Sequence, residues 1–391
     1  MSFPGNLLES ARLRRAEAGL LLLAILALAP LLLEPLPVGF LQPPVVARTG
    51  VATRLAVLMV LAAVIAVTAW LDRNSNPYSA RTAVLLAAFA AGLTVLHWYF
   101  VDADPDRSAW QRQLYLDVLN HQADAPHVFR PLPYGFTRSL ERVTGDERFS
   151  TVAYRWFFTC WFLWCYYRFA RLFLSQGRAL AALAVLLPLY PLSIAHYWGQ
   201  LTDPLSHTLF AMALIYTVQN RVWLLALTLG LGIVAKETIV LMVPAYWACW
   251  GRRGWPAFAR AVGLGLVCVV AFLAVRMPLG WRPDFGQING TAGLMIGTNL
   301  GLGEPLHETN VPLYQNYLQP LLFVGVFVPF IAWHWRGMDG RLKAIALTLV
   351  PLLLLSNLCF GWMYESRNYV PLLPLLTTMA LWRTPSPPAP G

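Results

Sequence analysis

The sequence predicts an all-α membrane protein, a polytopic bundle of about 10 to 12 transmembrane helices with two long extracytoplasmic loops. Apolar and aromatic residues make up 58% of the 391 residues, whereas charged residues make up only 12%. A soluble domain carries about 25% charged residues, so this chain lacks the polar surface that would face water on all sides. The apolar residues also recur in long runs separated by short polar segments. A lipid bilayer is therefore the solvent that the composition fits.

Individual spans follow from length, because a membrane-spanning helix needs roughly 20 mainly apolar residues and fewer where it packs against protein. The stretch 221–250 is divided into two helices because Lys236 and Glu237 are adjacent charges, which are unfavourable in the middle of a span. A break at these residues brings both charges to the interface. The predicted spans are residues 17–33, 52–71, 82–101, 151–173, 179–198, 205–219, 222–235, 238–250, 259–278, 319–335, 342–360 and 369–383.

Charge is unevenly divided between the two sides of this predicted bundle. One set of alternate loops holds more than half of the 29 basic residues but few of the 19 acidic residues. Loops rich in Arg and Lys stay in the cytoplasm, so both termini are predicted to be cytoplasmic and loops 102–150 and 279–318 to be extracytoplasmic. We expect a single transmembrane domain over residues 1–383 and a disordered tail, rich in proline and serine, over residues 384–391.

The first long loop contains a helical pattern. It is formed by apolar residues and predicts a short amphipathic helix lying on the membrane surface; the residues are Trp110, Leu114, Leu116, Val118 and Leu119. Long loops in a compact protein are usually functional or disordered, and the aromatic and proline content of this loop favours order.

Composition argues against several classes of protein. The five cysteines are odd in number and lie in or beside apolar runs, so neither a disulfide framework nor a zinc site is predicted. The net charge of +10 is scattered between apolar segments and forms no basic stripe, which argues against a nucleic-acid partner. The seven histidines are dispersed and show no metal-ligand spacing.

Carboxylates cluster where the third predicted span ends. Asp102, Asp104 and Asp106 alternate with other residues directly after an aromatic segment. Carboxylates that repel one another at a membrane interface bind protons more readily, so one of them is a candidate general base toward a hydroxyl. A solvated acidic turn that ends the helix is the alternative.

Three cations in or next to predicted outer segments are candidate phosphate ligands. Arg130 lies among aromatic and proline residues, Lys236 lies at the predicted break, and Arg367 precedes the last span. Arginine offers a planar and permanently charged fork that suits phosphate. The alternatives are anchoring of the loop to lipid headgroups and ordinary ion pairs. The acidic residues expected to support these cations are Asp203, Glu237 and Glu365.

The order of these motifs resembles the GT-C superfamily of membrane glycosyltransferases, especially its bacterial members. The resemblance covers roughly residues 80–380 and rests on five short motifs. They are the acidic loop with Asp102 and Asp104, the Phe-Arg-Pro-Leu-Pro stretch 129–133, the Asp-Pro pair at Asp203, the Lys-Glu-Thr stretch 236–238, and the Glu-x-Arg-x-Tyr motif that contains Glu365 and Arg367.

The resemblance implies that a sugar is moved from a polyprenyl-phosphate carrier to an acceptor hydroxyl on a glycan, lipid or protein. It makes Asp102 or Asp104 the catalytic base, and Arg130, Lys236 and Arg367 the donor-phosphate ligands. It also implies a bacterial inner membrane location, with no cofactor beyond an optional divalent metal and no metal ligand assigned. A polysaccharide polymerase, a lipid-linked-sugar flippase or transporter, and a non-catalytic membrane protein of the same fold are the alternative functions.

Overall fold

The computed structural model describes residues 80–186, 189, 190, 193, 200–280, 295–300 and 313–382. Across these residues all regular secondary structure is helical, which confirms the all-α class for this part of the chain. The spans predicted at 17–33 and 52–71, the tail at 384–391 and most of the loop at 279–318 lie outside the described residues.

Helices follow one another closely along the described chain. In order they are α1 (Ala80–His97), α2 (Pro105–Leu119), α3 (Pro131–Thr144), α4 (Glu147–Arg171), α5 (Gln176–Ala184), α6 (Thr202–Val218), α7 (Val222–Ala235), α8 (Met242–Trp250), α9 (Trp255–Leu279), α10 (Ile296–Leu300), α11 (Leu313–Phe323), α12 (Val328–His334), α13 (Gly340–Phe360) and α14 (Leu373–Ala380). A π-helical turn, Trp98–Asp102, extends α1, and short 3-10 turns occur at His127–Phe129, Glu237–Leu241 and Ser366–Asn368.

Within the described residues, four stretches are long and apolar enough to cross a membrane. They are Thr82–Asp102, Trp255–Leu279, Tyr317–Gly337 and Gly340–Phe360, and the shorter Val222–Ala235 is also apolar. Only 17% of the most apolar window of Trp255–Leu279 is buried within the protein. Its exposed side chains are those that lipid would cover. The finer count of 10 to 12 spans stays a prediction.

The chain divides into two compact units. Unit 1 comprises residues 1–109 and 137–164, and unit 2 comprises residues 110–136 and 165–391. Within unit 1, α1 contacts α4 through a hydrogen bond of 3.3 Å that the Trp156 indole donates to the Ala87 carbonyl. The single domain expected from the sequence includes residues that the structure does not describe, so that expectation stays a prediction.

Helix α6 forms the core of unit 2. Nearly every residue of α6 is buried, including polar residues of its first half such as Asp203 and His207. It packs against α7 and α8, α7 also packs against α9, and α8 packs against α13. These helices therefore pack together within unit 2.

The break predicted in the stretch 221–250 is present. Helix α7 ends at Ala235, Lys236 is extended with φ −165° and ψ 119°, and a 3-10 turn begins at Glu237. Neighbouring backbone carbonyls close this turn, because the Lys236 amide donates to Gly232 and the Ile239 amide donates to Lys236. The chain thus leaves the helix at the two charged residues.

A helix is present at residues 110–119, as part of α2, whereas its position on the membrane surface stays a prediction. Its apolar residues Leu114, Tyr115 and Val118 are buried within the protein. Leu116 is 39% exposed, so the protein covers only part of the apolar residues of α2.

Gly232 is required where α7 meets the turn that follows it. A Cβ atom at this position would lie 2.8 Å from Ile239 Cγ2 and closer still to Cδ1, whereas one at Gly230 would make an ordinary contact of 3.6 Å with Val267. We expect Gly232→Ala to displace Ile239 and to lower the free energy of unfolding by about 1–3 kcal/mol. Gly230→Ala on the same helix should be neutral or stabilising, because alanine favours helices. Thermal unfolding of both variants in detergent checks the prediction, and equal midpoints would contradict it.

Candidate functional site

A buried ion network in unit 2 is centred on Asp203, at the start of α6. The Arg367 guanidinium lies 3.2 Å from Asp203 Oδ2 and 3.3 Å from Oδ1, and the Lys236 ammonium lies 3.4 Å from Oδ1. All three side chains are buried. A carboxylate removed from water is stabilised only by such direct partners, so Asp203 fixes the positions of two cations.

Asp203 lies in the first turn of α6, close to the helix start, where a carboxylate can cap a helix. The α6 N-cap is Leu201, and no side chain makes a cap hydrogen bond there. Asp203 instead accepts a hydrogen bond of 3.0 Å from the backbone amide of Gln200. Its carboxylate therefore serves the ion network and the turn that leads into α6.

The last loop before α14 completes this part of the network. Glu365 Oε2 accepts hydrogen bonds from Arg367 (2.9 Å) and from the Asn368 amide (3.0 Å). The oxygen of the Asn368 side chain accepts a bond of 2.8 Å from Lys236. The 3-10 turn Ser366–Asn368 thus brings the Arg367 guanidinium and the Asn368 side-chain amide to the same oxygen of Glu365.

A second group of charges is adjacent to the first through Glu237. Arg130 makes a two-point contact with Glu237 Oε2, through Nε at 2.9 Å and through a terminal nitrogen at 2.8 Å. Arg276, near the end of α9, lies 3.6 Å from Glu237 Oε1. The Arg276 guanidinium also lies 4.1 Å from the ring centre of Phe129 and 4.4 Å from that of Phe272. Two aromatic faces therefore stabilise a buried positive charge by cation–π attraction.

His127 adds no charge to these residues. Burial of its ring, followed by the charges of Arg130, Arg367 and Lys236, lowers the pKa of His127 to about 3. It is therefore neutral at physiological pH. The influence of all three cations on one ring also places the two groups of charges in a single electrostatic environment.

We call these charged residues and Asn368 the charged network. Its cations are Arg130, Lys236, Arg276 and Arg367, and its carboxylates are Asp203, Glu237 and Glu365. Four positive and three negative charges leave an excess of one positive charge. Arginine and lysine in a mostly buried setting attract an anion more strongly than they do in water. The arrangement can therefore bind a monoanion.

The structure brings together six of the residues predicted from the sequence. They are Arg130, Asp203, Lys236, Glu237, Glu365 and Arg367, all in unit 2. The remaining two, Asp102 and Asp104, belong to unit 1.

Asp102 ends the π-helical turn of unit 1 beside two basic residues. Arg155, itself buried, donates a hydrogen bond to Asp102 Oδ2, and His97 Nδ1 lies 3.9 Å from the same oxygen. Such π-helical turns are frequent at functional sites. The arginine fixes one carboxylate oxygen and neutralises its charge.

Asp104 has a different environment. Its Oδ1 accepts hydrogen bonds from the backbone amides of Asp106 (3.0 Å) and Arg107 (3.2 Å), which caps the start of α2. Its Oδ2 lies 3.5 Å from Arg107 Nε, and the Asp104 side chain is 42% exposed. Asp104 is thus an exposed residue that caps a helix, which agrees in part with the solvated acidic turn given as the alternative.

Sequence reasoning missed Arg276, Asn368 and Arg155 as members of these sites. Arg276 lies in an apolar run, and a charge inside a predicted span is itself a signal of function that could have identified it. Among the described residues, no group of three His, Cys, Asp or Glu side chains has the geometry to hold a metal ion.

Comparison of the chain with protein-family models, with curated proteins and with solved structures found no match.

Proposed function

We propose that the protein is an inverting membrane glycosyltransferase that moves a sugar from a polyprenyl-phosphate carrier to an acceptor hydroxyl on the extracytoplasmic face of the bacterial inner membrane. The charged network of unit 2 is the observation that carries this proposal. Its excess of one positive charge matches the single negative charge of a phosphodiester. The apolar spans supply the lipid-facing surface that a polyprenyl chain requires.

The proposed reaction breaks the bond between the anomeric carbon and the phosphate oxygen. The acceptor hydroxyl gives its proton to a carboxylate, Asp102 or Asp104, and its oxygen forms the new bond to the anomeric carbon. The electron pair of the broken bond stays on the polyprenyl phosphate, which gains a second negative charge. Fixed cations are most effective where charge develops during a reaction, which is the role proposed for Arg130, Lys236 and Arg367.

A non-catalytic membrane protein is the second candidate, because each cation of the network already has a carboxylate partner. Arg130 is paired with Glu237, and Arg367 with Asp203 and Glu365. A network that is satisfied internally can hold helices together without a ligand. Substitutions that lower or raise the net charge of the charged network distinguish the two functions.

The sign of the network charge should decide anion affinity. Arg130→Gln removes the excess positive charge, whereas Glu237→Gln raises it to two. We expect the first change to weaken binding of a short-chain polyprenyl phosphate and the second to strengthen it, each by about tenfold, or about 1.4 kcal/mol. Arg130→Lys should restore binding only in part, since an ammonium cannot reproduce the two-point contact of the guanidinium.

Affinity is measured by titration calorimetry on purified protein whose folding is checked by its unfolding temperature. Arg260→Gln is the matched control, because Arg260 is an exposed arginine of α9 that lies outside the charged network. If Arg130→Gln and Glu237→Gln lower stability equally and neither changes affinity in the expected direction, the network is structural and the proposal fails.

Lys236 should make anion binding depend on pH. Burial is the main cause that lowers the pKa of Lys236, to about 8, with Asp203 opposing and Arg367 and Arg130 adding to the shift. Lys236 lies between two helices, outside the predicted spans. The ammonium is present below pH 8 and is lost above it, so donor affinity should fall as pH rises from 7 to 9 and Lys236→Arg should abolish that fall.

Unfolding of the protein is not the cause of the lower donor affinity expected at high pH. The unfolded state keeps the Lys236 proton up to its ordinary pKa of 10.5, so deprotonation in the folded state stabilises the protein between pH 8 and 10.5. A fall in affinity of the same size in Lys236→Arg would exclude Lys236 as its cause.

The two candidate bases should be separable by asparagine substitution. Asparagine caps helices nearly as well as aspartate, so Asp104→Asn should keep α2 intact and remove only the proton acceptor. We expect Asp102→Asn or Asp104→Asn to lower turnover by about 10²–10⁴-fold with donor affinity unchanged. Turnover is measured with a panel of radiolabelled polyprenyl-phosphate sugars. Asp106→Asn, in the same turn, is the control and should keep full turnover, and full turnover in both Asp102→Asn and Asp104→Asn would remove the base assignment.

A further inference from the structure

Helix α3 presents three distinct faces. Tyr134 and Thr137 are buried against the protein, whereas Phe136, Leu140 and Val143 are 46%, 37% and 86% exposed. The exposed apolar residues are spaced four and three apart, which places them on one side of a helix of 3.6 residues per turn. They form an apolar stripe that the described protein leaves exposed.

Basic residues occupy the opposite side of the same helix. At 100° per residue, Arg138 and Arg142 fall on the side away from the apolar stripe, and both are exposed. Arg138 reaches Glu141 at 2.8 Å and keeps 45% of its side chain exposed. A helix with an apolar stripe and arginines on its polar side has the pattern of helices that lie in the membrane interface.

We propose that α3 lies in the membrane interface, with its apolar stripe at the boundary of the acyl chains and its arginines at the phosphates of anionic lipids. Position along the chain supports lipid as the occupant. The span that contains α1 ends at Asp102, and α4 begins at Glu147, three residues after α3 ends. Charge complementarity supports it too, because anionic headgroups attract arginine at the membrane surface.

The docking of α3 has a consequence for the charged network. Helix α3 begins at Pro131, directly after Arg130, and the proline fixes the backbone at this junction. The depth at which α3 lies in the interface therefore sets the depth of the Arg130 backbone. This consequence rests on the proposed function, whereas the docking of α3 in lipid does not.

Photocrosslinking of the full-length protein in lipid nanodiscs tests the docking. The photoreactive residue p-benzoylphenylalanine is placed at position 140 or 143 on the stripe, and at position 135 or 141, both away from the stripe, as controls on the same helix. Nanodiscs contain phosphatidylethanolamine and phosphatidylglycerol, and adducts are identified by mass spectrometry. We expect the two stripe positions to give several-fold more adducts with lipid acyl chains than the two control positions.

Equal lipid labelling at all four positions, or crosslinks from positions 140 and 143 only to the protein itself, would overturn the proposal. The arginines are tested separately. Arg138→Gln combined with Arg142→Gln should reduce acyl labelling from position 143 in these nanodiscs. It should leave the lower labelling in pure phosphatidylcholine unchanged. Because crosslinking needs no donor substrate, failure of the proposed glycosyl transfer would leave this result intact.

Discussion

The carboxylate of Asp203 is the group on which the arrangement of unit 2 depends. It is buried at the start of α6, a helix that is almost entirely buried, and it holds Lys236 from one connecting segment and Arg367 from another. Removing one partner from such a network leaves an uncompensated charge, which typically lowers stability by about 3–5 kcal/mol. The start of α6 and the two connecting segments that carry these cations must therefore fold together around one anion.

Binding capacity arises because this pairing is uneven. Glu237 makes its two-point contact with Arg130 but lies 3.6 Å from Arg276, so one carboxylate serves two guanidinium groups. The phenyl rings of Phe129 and Phe272 stabilise Arg276 without neutralising it. Arg276 is held by two rings in addition to its longer contact with Glu237, whereas Arg130 makes the closer contacts with that carboxylate. Arg276 is thus the source of the excess charge that the proposed function uses.

Much of this arrangement was predictable from the sequence, since the cost of burying charges limits where they can lie. Lys236 and Glu237 predicted the break after α7, and the break is present. Six charged residues from distant motifs were expected to act together, and they form one network. Arg276 and Asn368 were not predicted, because periodicity and charge indicate which residues are unusual but not which helices pack together. The contact between α9 and the turn His127–Phe129 is tertiary information of that kind.

The positions of the network residues along their helices also bear on function. Asp203 lies in the first turn of α6 and Lys236 directly after α7, whereas Arg276 lies in the last turn of α9. Transporters typically place ionisable groups near the middle of interrupted spans, where the substrate crosses the membrane. Charges at helix ends instead suit a ligand whose charged part lies at the membrane surface while its apolar chain lies in lipid. A polyprenyl phosphate has this division, which is why the arrangement favours a lipid-phosphate substrate over a solute in transit.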